Sequence, residues 1–317
     1  MPVARNLFKT FSLGLFIMSV PGLLSINLCT AASVVTKDHY FRSFDGKTIF
    51  IKEKSGVEES SFRGAVVCFP PCIYSHHFFD CPVSDCSLMD DLAEQGFRVF
   101  AYDPRGFGSS YQPPDGRSIT YEVELRDAEA LVNFVLNETD AKTVSLVAFG
   151  SGAQVACGYA LRHPERVNAL ALMDFVWRVF PEPLSPQFKE MLLSQPKGYL
   201  QLSHVEGFFA PLLRFTSPEI MAWVKSTFIV APVGPLLTAF ESMPLIKPAS
   251  DIRAPVLILR GTQAGITSES DTFDFLSKVS SQIRVFDALE GAGPIPTLEK
   301  GNYRRVLRDI RWFLGRR

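Results

Sequence analysis

The chain has 317 residues, of which 47% are hydrophobic and 21% charged, and its formal net charge is −1. A chain of this length and composition can bury a large core, which argues against a disordered protein. The near-neutral charge, without a basic stripe, gives no electrostatic reason to expect a nucleic-acid partner.

The N-terminus has the layout of a secretory signal peptide. Arg5 and Lys9 precede an apolar run over residues 11–24, and the small residues 30–33 follow it. A basic segment, a short apolar segment and a small-residue exit indicate a signal that is removed during export. We expect cleavage near Ala31 or Ala32.

An N-terminal membrane anchor is the alternative. Pro21 and Gly22 interrupt the apolar run, which is shorter than the roughly 18 residues typical of a span. We therefore expect a signal peptide at 1–32, an exported domain at 33–317, and no stable membrane span after cleavage. The destination would be the medium, the periplasm or the ER lumen, depending on the organism, and the oligomeric state stays open.

Strand-like and helix-like segments alternate after the predicted signal. A hairpin signature, Asp45-Gly46, separates the first two strands, and the charged residues of the run 51–54 indicate a solvated face. The alternation predicts an α/β fold with a mostly parallel sheet and helices on both faces. The predicted strands are 40–44, 48–51, 65–69, 97–102, 143–149, 169–173, 256–260 and 284–286, and the predicted helices are 88–95, 121–136, 154–162, 270–278 and 303–314.

The pattern changes over residues of about 175–250, where strand signals vanish and apolar helical pieces at 188–193 and 219–229 are separated by prolines and glycines. We interpret this segment as an inserted helical cap. Its aromatic residues are expected mostly to form the cap core, although several could line a cavity for an apolar ligand. They are Trp177, Phe180, Phe208, Phe209, Phe215, Trp223, Phe228 and Phe240.

The cysteines beyond the predicted signal fall into two groups. Cys68 and Cys157 lie in apolar segments and are expected in the core, where a free cysteine behaves as a small hydrophobe. Cys72, Cys81 and Cys86 share one irregular stretch, where an oxidising compartment would permit a Cys81–Cys86 or a Cys72–Cys81 disulfide. The spacing does not match a zinc site, and no metal is expected.

Three motifs resemble landmarks of the α/β-hydrolase family. The run 102–109 (YDPRGFGS) looks like the family's D-x-R-G-x-G-x-S turn, and the Phe44-Asp45-Gly46 hairpin and the run 254–261 (APVLILRG) are similar to two others. The resemblance covers nearly all of 33–317 and implies the α/β-hydrolase fold with an inserted helical cap. It implies no cofactor, and it does not by itself assign a function.

In this family the nucleophile lies in G-x-S-x-G, on a strained strand-to-helix turn. Alignment of the strand end at 146–147 puts Gly150 at the serine position. A register shifted by one residue would make Ser151 the nucleophile, but Phe149 and Ala153 would then stand where the turn wants very small residues.

The other two triad positions are also altered. By the family pattern Ala264 stands where the acid belongs, and Pro294 stands at the histidine position of the turn 291–296. The chain's histidines are His39, His76, His77, His163 and His204, so none follows the acid strand.

The oxyanion loop departs from the family pattern as well. The family's H-G pair corresponds to Phe69-Pro70, which Pro71 and Cys72 follow. Proline has no N–H to donate. Cys72 could donate one if the loop were re-aimed.

The triad-equivalent positions hold Gly150, Ala264 and Pro294, which cannot perform triad chemistry. We therefore assign no catalytic residue. Asp174 follows a strand from which some family members supply the acid, and His204, His76 and His77 could lie near the pocket. The candidate pocket residues are Phe69, Cys72, Phe149, Ser151, Asp174, Trp177, His76 and His204.

Three functions are compatible with these residues. The first is an exported pseudoenzyme that binds a small apolar ligand or a partner. The second is an enzyme without a triad, of cyclase, isomerase or lyase type, that uses the retained pocket with one acid or base. The third is a serine hydrolase that uses Ser151.

Overall fold

A computed structural model describes residues 34–57, 62–175, 185–201, 203, 207, 210–242, 249–264 and 267–316. The predicted signal peptide and the candidates Trp177 and His204 lie outside these residues, as do Phe180, Phe208 and Phe209.

A central sheet of eight strands dominates the described part of the chain. Its order is β1-β2-β4-β3-β5-β6-β7-β8; β1 and β2 run antiparallel to their neighbours, and all later pairs are parallel. This is the mostly parallel α/β sheet that the alternation predicted. The strands are β1 (Val34–Arg42), β2 (Thr48–Gly56), β3 (Gly64–Phe69), β4 (Phe97–Tyr102), β5 (Val144–Phe149), β6 (Val167–Met173), β7 (Val256–Gly261) and β8 (Arg284–Leu289).

Helices cover both faces of the sheet. One face packs against α2, α3 and α7, and the other packs against α1 and α8. The described helices are α1 (Leu88–Ala93), α2 (Tyr121–Thr139), α3 (Ser151–Arg162), α4 (Pro186–Leu193), α5 (Pro218–Thr227), α6 (Val233–Leu237), α7 (Glu269–Lys278) and α8 (Lys300–Leu314). Among the described residues, no helix is long and apolar enough to cross a membrane.

Strand alternation decides which side chains face which layer. In β3, Ala65, Val67 and Phe69 belong to the core beneath α2 and α3, whereas Val66 and Cys68 belong to the core on the opposite face. The two faces are both apolar because a parallel strand is buried on both sides.

Most helices begin where a hydroxyl side chain caps them. Ser87, Thr120, Ser185, Ser217 and Ser268 each accept a backbone N–H in the first turn of α1, α2, α4, α5 and α7. Such a cap satisfies one of the N–H groups that a helix start leaves without a partner. Helix α3 is different, because it follows Gly150 without a side-chain cap.

The segment between β6 and β7 contains α4, α5 and α6, in agreement with a helical cap. It also contains a two-stranded antiparallel ladder of Tyr199–Gln201 with Val230–Pro232. The expectation that this segment lacks strands is therefore wrong. Strands of three residues are too short to display an alternating pattern.

The predicted solvated face of β2 is also wrong at two positions. Glu53 is 1% exposed and accepts hydrogen bonds from Arg98 and His39. Lys54 is buried and donates to Asp80 at 2.5 Å and to Asp90 at 2.7 Å. His39 of β1 and Arg98 of β4 flank Glu53, and Asp80 and Asp90 lie against Lys54, so both charged side chains are covered and paired.

Candidate functional site

The turn between β5 and α3 has an unusual backbone at Gly150. Its φ is 54° and its ψ is −121°, a region that glycine enters freely and other residues enter at a cost. Its N–H donates to the carbonyl of Met173 at 3.0 Å, which ties the turn to the end of β6. A Cβ at this position would meet only the Pro71 Cβ, at 3.8 Å, so the turn has room for a side chain that Gly150 lacks.

Gly152 lies in close contact with the end of β3. A Cβ there would be 2.3 Å from the Pro70 carbonyl oxygen and 2.4 Å from that of Phe69. Only glycine permits this approach, and the family motif places its second glycine two residues after the nucleophile. The contact therefore favours the register with Gly150 at the nucleophile position over the register with Ser151.

The Ser151 hydroxyl is engaged with the loop after β3. Its Oγ accepts the Cys72 N–H at 2.7 Å, and the Pro71 carbonyl accepts the Tyr74 N–H. The one amide of Pro70-Pro71-Cys72 that could face an oxyanion is thus occupied by Ser151. Desolvation raises the pKa of the Cys72 thiol to about 12, so this thiol is neutral at pH 7.

The turns that carry Ala264 and Pro294 adjoin each other. The Gln263 N–H donates to the Ala292 carbonyl at 2.9 Å, and a Cβ on Gly261 would lie 2.1 Å from the Gly293 carbonyl oxygen. Ala264 and Pro294 are both buried. Neither side chain can carry a proton in this neighbourhood.

Glu299 holds the turn that carries Pro294 through a hydrogen bond. It is buried, and its Oε2 accepts the Gly293 N–H at 3.0 Å and a hydrogen bond from Asn302 at 2.8 Å. Its Oε1 has no hydrogen-bond partner among the described residues.

Asp174, directly after β6, is buried and strained. Its φ is 42°, an uncommon value for a residue with a side chain. The side chain is 2% exposed and accepts the Thr267 hydroxyl at 2.7 Å, while Arg260 donates to the Thr267 carbonyl. Burial raises the pKa of Asp174 to about 6, although the Thr267 hydrogen bond and the Arg260 charge oppose the shift.

His76 pairs with the aspartate of the Tyr102–Ser109 motif. Its Nδ1 is 2.5 Å from the Asp103 Oδ1, and Asp103 also accepts the Ser109 N–H. The ring is buried against Phe50, and its Nε2 has no partner within the described residues. The pair joins the loop after β3 to the turn after β4.

His77 is half-buried and lies beside Trp223 of α5, with ring centroids 6.1 Å apart. Burial, with His76 adding to it, lowers the pKa of His77 to about 4, so His77 is neutral at pH 7. Neither histidine contacts the cavity described below.

An apolar cavity of about 60 Å³ lies between the cap and the loops that follow the strands. All lining surface is apolar, including the ring of Tyr74, whose hydroxyl bonds Thr227 at 2.5 Å. The lining residues are Pro71, Ile73, Tyr74, Phe78, Phe149, Leu212, Leu213, Val224, Phe228, Ile295 and Leu298.

The structure places the predicted pocket candidates in different surroundings. Phe149 lines the cavity, whereas Phe69 packs against Tyr102 in the core below α2 and α3, because strand alternation turns it to the other face. Cys72, Ser151, Asp174 and His76 lie near the same strand ends without lining the cavity.

Sequence reasoning missed most of the lining. Phe228 belonged to the aromatic set of the cap, but Leu213, Val224, Ile295 and Leu298 are aliphatic residues with no signal that separates cavity from core. Only the approach of the cap to the strand ends brings them together.

One cluster has the donor types of a metal site. Ligand atoms of His39, Glu53 and Glu138 lie within 4.8 Å of one another among the described residues. Arg98, however, donates to Glu53 at 2.7 Å and lies 3.6 Å from Glu138, so a cationic side chain already lies against both carboxylates of the cluster.

Comparisons with known proteins agree with the fold. The sequence profile of a family described as "alpha/beta hydrolase fold" matches residues 65–288. Bifunctional epoxide hydrolase 2 of Sus scrofa is 35% identical over 111 residues, which cover 35% of this chain and only 19% of that protein. The AB hydrolase superfamily protein YisY of Bacillus subtilis is 23% identical over 261 residues, covering 78% of this chain and 87% of that protein.

Solved structures give the same result at lower identity. An esterase from Exiguobacterium antarcticum superposes with a TM-score of 0.69 and 18% identity, covering 87% of this chain and 99% of that chain. Likeness at this level concerns the architecture and carries no residue roles.

Proposed function

The chain belongs to the α/β-hydrolase fold family, and on that premise we propose that it is a non-hydrolytic member that binds a small apolar ligand beneath its cap. The observation that carries the proposal is the turn at Gly150, which has the backbone of a nucleophile turn and room for a side chain, but no nucleophile.

The acid and the histidine are missing from the matching turns. Ala264 and Pro294 stand there, and the turns that hold them are joined by the hydrogen bond from Gln263 to Ala292. Ester hydrolysis by this family needs a group that takes the proton from the nucleophile and returns it to the leaving group. No such group stands at either position.

The oxyanion loop supports the same interpretation. Loss of a triad leaves about 10³–10⁴-fold acceleration over water, which comes from the oxyanion hole and from binding. Pro70 and Pro71 have no N–H, and the Cys72 N–H donates to Ser151. We therefore expect the residual acceleration to be smaller still.

The cavity determines the class of ligand. Its lining offers no hydrogen bond, so a polar group buried there would lose its contacts with water without compensation. A short aliphatic chain or a comparably small apolar group fits a space of about 60 Å³. Apolar cavities take up such molecules, and xenon as well.

Xenon is the probe that tests the cavity. We expect a saturable ¹²⁹Xe NMR shift with the wild-type protein, because xenon needs only an apolar space. Val224→Phe fills the cavity from α5 and should abolish the shift. The matched control is Ile229→Phe, which adds an aromatic ring at a position that is 60% exposed and does not line the cavity. A shift that V224F leaves intact would show that xenon binds elsewhere and would contradict the proposal.

A second candidate function is an enzyme of lyase or isomerase type that uses Asp174. Its strained backbone, its burial and its pKa of about 6 are the properties of a carboxyl group prepared for proton transfer. The Gly150 N–H donates to the carbonyl of Met173, the residue before Asp174, so Asp174 lies beside the turn.

Ring opening of 5-nitrobenzisoxazole tests this candidate, because the reaction needs a single base. Turnover that Asp174→Asn abolishes and Thr267→Val alters would favour it over simple binding. If the wild type and D174N turn the substrate over at the same rate, Asp174 is not the base and this candidate function is wrong.

We also propose that the protein is exported, on the basis of the sequence over 1–32. Intact-mass measurement of the protein from its native host tests this. We expect the mass of a chain that starts at residue 32 or 33, and the mass of a chain that still includes Met1 would contradict export.

A further inference from the structure

A small hairpin, Asp80–Ser87, brings two cysteines face to face. Its strands Asp80–Cys81 and Cys86–Ser87 pair antiparallel, with Cys81 directly opposite Cys86. Opposed Cα atoms in such a ladder lie about 4.5–5.5 Å apart, which is within the roughly 4.4–6.8 Å that a disulfide spans. Both residues are free thiols in this structure, and both are buried.

The surroundings argue against the competing pair of Cys72 with Cys81. The Cys72 backbone is bonded to Ser151, and its side chain packs with the cap core around Leu200. Cys81 instead belongs to the core on the α1 side of the sheet, together with Cys86.

Ionic contacts hold the base of the hairpin in place. Asp80 accepts hydrogen bonds from Lys54 at 2.5 Å and from Ser87 at 2.8 Å. Lys54 also bonds Asp90 of α1. The two thiols donate into the hairpin loop, from Cys81 to the Val83 carbonyl and from Cys86 to the Ser84 carbonyl.

The tip of the hairpin supports the cap. The turn Val83–Asp85 packs against α5, the helix that contributes Val224 to the cavity and Thr227 to the hydrogen bond with Tyr74. Ser84 and Asp85 both have positive φ, 57° and 54°, so the turn is held in a conformation that an unconstrained chain would leave.

We propose that Cys81 and Cys86 form an intramolecular disulfide that clamps this hairpin beneath α5. The oxidant is a small-molecule disulfide such as oxidised glutathione, or a protein disulfide that exchanges in the same way. One cysteine thiolate attacks the oxidant, forms a mixed disulfide and releases one glutathione thiolate. The second cysteine thiolate attacks the mixed disulfide, forms the Cys81–Cys86 bond and releases the other glutathione thiolate.

The electrons and protons of this exchange balance. The two protein thiols lose two electrons and two protons, and the oxidant gains them as two thiols. Burial raises the pKa of Cys86 to about 11, which keeps the thiol protonated in the folded state. The exchange therefore takes place during folding or when the hairpin opens locally.

The sequence allows the crosslink to be read directly. Cleavage before aspartate cuts ahead of Asp80, Asp85 and Asp90, which places Cys81 in fragment 80–84 and Cys86 in fragment 85–89. The full chain is incubated in a glutathione redox buffer, its free thiols are alkylated, and the denatured protein is digested and analysed by mass spectrometry. We expect the two fragments to be joined in the wild type and in Cys72→Ser. In Cys81→Ser they should be separate, with only the fragment that contains Cys86 alkylated.

Stability and local exchange give independent readouts. Closure of a six-residue loop should raise the Tm by about 4 °C in the oxidised wild type, with no rise in C81S. Hydrogen exchange over Pro218–Thr227 should slow in the oxidised form. Separate, alkylated fragments in the wild type, or a crosslink that includes Cys72, would overturn the proposal.

The proposed disulfide does not depend on the proposed ligand binding, and the two can fail separately. A crosslink without a xenon shift would leave the disulfide standing and remove the ligand function. A xenon shift without a crosslink would do the reverse.

Discussion

Gly152→Ala is the substitution that tests the geometry of the turn most sharply. Its Cβ would lie 2.3 Å from the Pro70 carbonyl oxygen, 2.4 Å from that of Phe69 and 2.8 Å from the Phe69 carbonyl carbon. These are backbone atoms at the end of β3 and cannot rotate away. Either β3 or α3 must shift by several tenths of an ångström within a packed core.

The expected cost follows from this collision. Overpacking a well-packed core costs about 1–3 kcal/mol, and we expect the upper end because backbone atoms collide. Gly301→Ala is the control, since a Cβ there meets nothing within 4 Å and the residue is in α8. Because Gly301 is the second residue of the helix and not in its interior, that change should stabilise the protein by less than about 0.5 kcal/mol.

Urea denaturation of the two variants and the wild type measures both effects. We expect the midpoint for G152A to fall well below that of the wild type and the midpoint for G301A to rise slightly, with similar slopes. If G152A is as stable as the wild type, β3 does not press against the start of α3. The argument that places Gly150 at the nucleophile position would then fail.

Three further substitutions have defined outcomes. Gly150→Ser should fold and cost about 1–3 kcal/mol from its positive φ, since its Cβ meets only Pro71; circular dichroism and urea denaturation check this. The pKa of Asp174 is raised to about 6, so between about pH 4 and pH 6 the native state binds more protons than the unfolded chain. The free energy of unfolding of the wild type therefore falls as the pH rises through this range. Asp174→Asn should remove roughly 3 kcal/mol of this fall, measured by urea denaturation at a series of pH values. Tyr74→Phe should cost about 1 kcal/mol by loss of the bond to Thr227, which a double-mutant cycle with Thr227→Val would resolve.

The sequence predicted the sheet well because its signals are local. The runs 97–102 and 256–260 became β4 and β7, and Asp45-Gly46 lies between the antiparallel β1 and β2. Apolar runs bounded by glycine, proline and charged residues carry this information without reference to distant parts of the chain.

The environment of individual side chains was harder to predict. The local sequence predicts solvated side chains at Glu53 and Lys54. It carries no information about the partners that surround them in the fold, which are Arg98, His39, Asp80 and Asp90. The contacts that decide their burial join residues far apart in sequence.

The candidate site was predicted in part. Family spacing put Gly150, Ala264 and Pro294 into three turns, and the structure brings the last two turns into direct contact. The hydrogen bond from Cys72 to Ser151 was not foreseen, because it depends on how the loop after β3 meets α3. The aliphatic lining of the cavity has no sequence signal at all.

The central claim is that the fold is retained without serine hydrolase chemistry. Reaction of the wild-type protein with a fluorophosphonate probe and with p-nitrophenyl acetate, beside Ser151→Ala, tests it most directly. We predict no adduct on the peptide that contains Ser151 and equal, near-background ester turnover in the two proteins. An adduct on Ser151, with ester turnover that S151A abolishes, would contradict the claim.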